Sequence, residues 1–176
     1  TKHAKGWNAS VVVTDYLIQS DAARQANLAQ PLADLGGAGT VARRDGTGWN
    51  TFEVQSTYTP QAGDFGDGRH ALVLGLHRNQ YTLQNVVNNA PDWRGAETTQ
   101  NQNYYGKTLI TAVYAQDAWK MTPALTLTSG LRFENFESFD GSQYFAGPPV
   151  AQKVFGSRTL TATSPKVSLA WAATDE

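Results

Sequence analysis

Apolar and polar side chains take turns along much of this chain. From Tyr114 to Glu134, YAQDAWKMTPALTLTSGLRFE puts Leu125, Leu127, Leu131 and Phe133 on one parity and Thr126, Thr128, Arg132 and Glu134 on the other. Successive side chains of a strand point to opposite faces, so such a stretch forms a strand with one apolar and one polar face. The same period of two predicts six strands, over residues 6–18, 49–59, 70–83, 107–119, 124–138 and 159–173. Trp7, Val11 and Val13 share a face in the first, and Phe52, Val54 and Tyr58 oppose Thr51, Glu53, Gln55 and Thr57 in the second. Leu72, Leu74 and Leu76 oppose Gly75, His77 and Asn79 in the third, and Val167, Leu169 and Trp171 oppose Lys166, Ser168 and Ala170 in the sixth. The fourth is apolar on both parities. By analogy with its neighbour, Val113, Ala115 and Trp119 go to the apolar face, Tyr114 and Gln116 to the polar one.

Alternation alone leaves open which face points inward. In a soluble sandwich the apolar face packs on a second sheet; in an outer-membrane barrel it faces lipid, and the polar face lines the lumen. Connection lengths favour the barrel. They run about 30, about 10, more than 20, about four and about 20 residues, so long and short connections take turns, as in barrels with short turns at one end and long external loops at the other. Pro60 and Pro123 mark the short turns. Tyr58, Trp119 and Trp171 end strands at that side, the place for a membrane-interface belt, although aromatics also suit strand ends simply because they pack well on a pleated surface.

Composition narrows the classes further. Charged residues are 16% of the 176, against roughly 25% in soluble domains, and Thr, Ser, Asn, Gln and Gly fill the deficit. Net charge is −1 with no basic stripe, so a nucleic-acid footprint is not supported. Cys is absent, which excludes disulfides and thiolate metal sites. No apolar window reaches the ~20 residues of a membrane-spanning helix, and mean hydropathy is −0.42. A barrel hides its hydrophobicity in every second residue and survives that test.

No catalytic constellation emerges, and the chain is read as non-enzymatic, without metal or cofactor. His70 and His77 fall on opposite faces of one strand, and His3 stands apart. Asp64 and Asp67 in GDFGDG miss the ligand spacing of a calcium loop. Glu134 shares a face with Arg132, so a wall salt bridge or a contact to a lumenal domain is the simpler reading than acid–base work with Glu137 or Asp140.

The quoted stretch resembles the barrel repeat of TonB-dependent outer-membrane transporters: a strand ending Y-x-Q-D-x-W, a short turn with Pro, then a strand ending G-L-R-[FY]-E. SPKVSLAWAATDE, at residues 164–176, looks like the strand that usually follows. The resemblance implies an all-β, antiparallel, up-and-down transmembrane barrel of the 22-stranded type in the bacterial outer membrane. It implies as partners the lipid bilayer, the protein's own plug domain, the TonB complex acting through that plug, and a small-molecule chelate such as a ferric siderophore. Six strands fall short of the about eight that close a barrel, so residues 1–176 are expected to be consecutive strands of a larger wall, with plug and remaining strands elsewhere. Arg78, Gln116, Arg132, Glu134 and Lys166 are then lumen-facing candidates.

Binding in this architecture belongs to the loops. Residues 20–37 read as a short capped helix in the first loop. In the second, Trp93, Arg94, Tyr104 and Tyr105 stand in an Asn/Gln field and are ligand-binding candidates, since aromatics and Arg can stack on and pair with an anionic chelate; they could equally order the loop. The third adds Tyr144 and Phe145 before Pro148 and Pro149. Two rival readings stand beside transport: a soluble β-sandwich that binds a ligand or carbohydrate, and an outer-membrane structural or enzymatic barrel of another family.

Overall fold

The computed structural model describes residues 6–61 and 68–173; His3, Asp64, Asp67 and the last three residues lie outside them. Its strands are β1 (Gly6–Leu17), β2 (Ala22–Ala26), β3 (Gly39–Arg43), β4 (Gly48–Thr59), β5 (His70–Ala90), β6 (Gln100–Thr122), β7 (Leu125–Phe145), β8 (Ala151–Phe155) and β9 (Arg158–Trp171). All pair antiparallel in one sheet. The six long ones, β1, β4, β5, β6, β7 and β9, go up and down in chain order and correspond to the six expected from alternation. β2, β3 and β8 are short additions at the long-loop end, where β3 pairs with the end of β5 and β8 with the end of β7.

Two expectations about the connections do not hold. β5, β6 and β7 run 21, 23 and 21 residues, about twice the 9–11 that cross a bilayer. The stretches expected as loops over 84–106 and 139–158 are therefore largely ladder, with only 91–99 joining β5 to β6. Antiparallel pairing satisfies each backbone N–H and C=O directly, and the Asn and Gln of this stretch do not prevent it. The expected helix over 20–37 is also absent: Ala22–Ala26 is a strand on β3, and only a single 3-10 turn, Leu32–Leu35, remains. So short a helix is marginal in water, and a paired neighbour overrides the small helix preference of Ala.

No second layer covers either face among the described residues. Among the described residues the buried apolar side chains are Ala33, Val41, Ala90 and Ala112 alone, while Val11, Val13, Leu74, Leu76, Val113, Leu131, Phe133, Val167 and Leu169 are exposed. A soluble chain of this size buries roughly 70% of its unfolded surface around one core. The sandwich reading requires such a core and fails on its absence. Every substantial contact between elements is between ladder neighbours.

The pairing register gives the sheet its tilt. Tyr58 pairs with Leu72, which pairs with Asp117, yet the belt residue of β6 is Trp119, two residues nearer the turn after two ladder steps. Trp119 leads through Leu127 to Leu169, and the belt residue of β9 is Trp171, again two residues nearer after two steps. A level belt thus drifts one residue per strand. With ~3.3 Å per residue and ~4.8 Å between strands this is a tilt of about 35°, the tilt of barrel strands. The Trp7 ring lies beside Tyr58 at a 42° tilt, ring centroids 5.1 Å apart, at the same level of the sheet.

Candidate functional site

Opposed residues in register share a face. Val11, Val54, Leu76, Val113 and Phe133 form one outward row, and Val12, Glu53, His77, Ala112, Glu134 and Ala162 the polar row behind it. Val113, Ala115 and Trp119 are outward and Tyr114 and Gln116 inward, which resolves the doubly apolar fourth strand as expected.

The centre of the polar face is a bonded network. The Tyr114 hydroxyl donates to Glu53 Oε1 at 3.0 Å and accepts from Gln55 Nε2 at 3.4 Å, reaching across β5 because Gly75 leaves space beneath the ring. Arg132 donates twice to Glu134 Oε2, at 3.0 and 2.8 Å, and lies over the Tyr114 ring at 6.0 Å. Lys166 donates to Gln116 Oε1 at 3.0 Å. Gln116, Arg132, Glu134 and Lys166 therefore share the polar face of the sheet.

Arg78 does not. It continues the parity of Leu72, Leu74 and Leu76, and register pairs it with Phe52 and Thr111 on the outward face. Its charge suggests the polar side; the fixed period of a strand overrules residue type.

The external candidates divide among several places. Trp93 Nε1 donates to Ala33 O at 3.1 Å; Arg94 donates to Asp34 O at 3.1 Å and sits 4.9 Å over the Trp93 ring. Arg24 donates to the carbonyls of Trp93 and Gly95, at 3.0 and 2.6 Å. Arg43 meets Glu97 at 2.6 Å, and Asn88 donates to the other oxygen at 2.7 Å. The hydrogen bond from Arg43, with that from Asn88, holds the Glu97 carboxyl below the usual carboxylate range. Trp93 and Arg94 are thus parts of a clasp that binds the β2–β3 arm to the 91–99 loop. Tyr104 faces the lumen beside Phe145, ring centroids 5.7 Å apart. Tyr105 faces outward with Lys107, and Tyr144 pairs with Asn103 on that outward side.

Residues that sequence reasoning passed over stand on the lumenal rim. Tyr16 stacks on Trp49, centroids 4.2 Å apart at 22°, and Trp49 pairs with Tyr81. Both rings of the stack are well exposed, 48% and 42%. The available signal was an aromatic on the polar parity of its strand, for Tyr16 sits with Thr14 and Trp49 with Thr51. Above the shelf, Gln25, Thr40, Asn101 and Gln102, with Arg24 and Arg44, line a hollow of ≈ 510 Å³.

An open, tilted, antiparallel sheet with an apolar outer face, an aromatic belt and a networked polar inner face is a membrane barrel wall. Against known proteins, a family model described as "TonB dependent receptor-like, beta-barrel" matches residues 2–176. The chain belongs to the TonB-dependent receptor family. No curated protein and no solved structure matches it. This family resides in the bacterial outer membrane and carries out TonB-dependent transport, with a plug domain and TonB as its general partners. The repeat motif of this TonB-dependent receptor now has physical roles: Tyr114 and Gln116 build the lumenal network, while Asp117 turns outward to meet His70 Nδ1 at 2.7 Å beneath Trp119.

Proposed function

We propose that this receptor imports a scarce metal chelate, of the ferric siderophore type, and that the chain supplies part of the barrel wall and external mouth, with closure of the sheet and the plug contributed by other segments of the protein. The observation that carries the reading is the exposed Tyr16–Trp49 shelf beside Tyr81 at the lumenal rim, below a hollow lined by amides and two arginines. Flat aromatic faces stack on the planar groups of a chelate, and the amides and guanidinium groups around the hollow can donate to its oxygens. Uptake follows from the plug being displaced by TonB, and the segment itself performs no chemistry.

The double substitution Tyr16→Ala, Trp49→Ala tests this. Uptake of radioactive iron from a panel of ferric hydroxamates and catecholates should fall about tenfold or more for the transported chelate, the usual weight of a central aromatic contact. The amount of barrel in the outer membrane should stay unchanged. Undiminished uptake across the panel, or no chelate transported by the parent protein, contradicts the proposal.

A further inference from the structure

The outward face carries a feature that transport does not use. Phe52 on β4 and Phe133 on β7 stand on either side of the smaller Val113 and Thr111, leaving a trough of ≈ 670 Å³ floored by Leu76 and closed at its upper end by Arg78. Phe52, Leu76, Val113 and Phe133 are 38–52% exposed, so the trough opens directly to whatever surrounds the barrel. Among the described residues, Arg78 is the one outward-facing cation of the six long strands without a carboxylate partner. Lys107, the other, meets Asp140 at 3.0 Å.

The placement of Arg78 is specific. Belt level on β5 falls near residue 71, so Arg78 lies some seven residues above it, about 19 Å along the membrane normal for a ~35° tilt. That is inside the upper part of a ~25 Å apolar band, where a lipid-facing Arg is costly unless it reaches the interface. Its guanidinium does reach upward: Nη1 donates to Asn50 Oδ1 at 3.0 Å and Nη2 to Gln80 Oε1 at 2.7 Å. Both acceptors are neutral. The fork is held still, its charge is uncompensated, and further N–H groups remain for an oxyanion. Asp15 and Glu137 lie on the outward face two strands away on either side, about 10 Å off, too far to neutralise it.

We infer that this trough is a binding site for one phosphorylated, multiply acylated lipid of the external leaflet, with an acyl chain between Phe52 and Phe133 and a headgroup phosphate on Arg78. A guanidinium pairs with phosphate through two parallel hydrogen bonds, and the low dielectric beside the apolar band strengthens that contact. A lipid without phosphate would fill the trough and leave the cation unmatched.

The test is native mass spectrometry of the full-length receptor in neutral detergent, with added bisphosphorylated lipid A or its dephosphorylated counterpart. The parent protein should retain the phosphorylated lipid at least fivefold better, and Arg78→Gln should abolish that preference. Thr111→Phe, which fills the trough and leaves Arg78 in place, should lower retention of both lipids; it decides the matter if Arg78→Gln fails to fold. Equal retention of the two lipids by the parent, meaning apolar adhesion only, overturns the inference. So does full retention by a folded Arg78→Gln or Thr111→Phe protein.

Discussion

Leu131→Arg should destabilise the inserted barrel by about 2–4 kcal/mol, while Thr128→Arg, three residues away, should change stability little. Belt level on β7 falls near residue 126, so Leu131 stands some five residues above it, about 13 Å, close to the middle of a ~25 Å apolar band. Leu131 is 40% exposed on the outward face and pairs with Ala115 and Pro165, and the outward carboxylate on its diagonal, Asp117, is already engaged by His70 at 2.7 Å. At mid-depth the side chain cannot reach water from either interface, and the charge must be desolvated or must thin the bilayer around it. Thr128 pairs with Ala118 and Ser168 on the lumenal face, where a long cation finds polar surroundings. Reversible urea unfolding from lipid vesicles measures both. Equal costs at the two positions would mean that the faces are not different solvents.

Gly75→Leu is the second substitution of large effect, about 2–3 kcal/mol. A Cβ at Gly75 falls against the ring of Tyr114, so the ring must leave. Overpacking of this kind costs ~1–3 kcal/mol, and displacing the ring also breaks the 3.0 Å bond from its hydroxyl to Glu53. A hydrogen bond to a charged group contributes ~1.5–3 kcal/mol when shielded; Glu53 is 36% exposed, so the lower part of that range applies here. The cause is separable by a double-mutant cycle. Tyr114→Ala should cost less in the Gly75→Leu background than in the parent, because the steric conflict goes with the ring. Additive costs would place the effect of Gly75 in the backbone instead.

Parity made most of this legible in advance. Wherever one face of a strand is apolar and the other polar, as from Leu125 to Glu134, a period of exactly two side chains per repeat fixes every orientation at once, and register then carries it to the next strand. Arg78 departs from expectation because its charge points to the polar side while its position in phase with Leu72, Leu74 and Leu76 fixes it outward. Tyr16 and Trp49 were missed for the converse reason, being aromatics on polar parity that read as ordinary strand formers. The external region was legible least. Whether Ala22–Ala26 is helix or strand depends on Gly39–Arg43 lying beside it, and whether 84–106 is loop or ladder depends on the opposite strand. Trp93 and Arg94 are a chemically capable pair in the sequence, but the partners that occupy them, Ala33 O and Asp34 O, lie about sixty residues away in the chain.

The account rests on the apolar face of the wall meeting acyl chains. This chain contains no cysteine, so single cysteines can be placed one at a time from Leu125 to Glu134, labelled with a small fluorophore, and quenched in vesicles by nitroxide-bearing lipid. Strong quenching at Leu127, Leu131 and Phe133, alternating with weak quenching at Thr128, Arg132 and Glu134, is the predicted result. Quenching of the opposite phase, or none at any position, would contradict it.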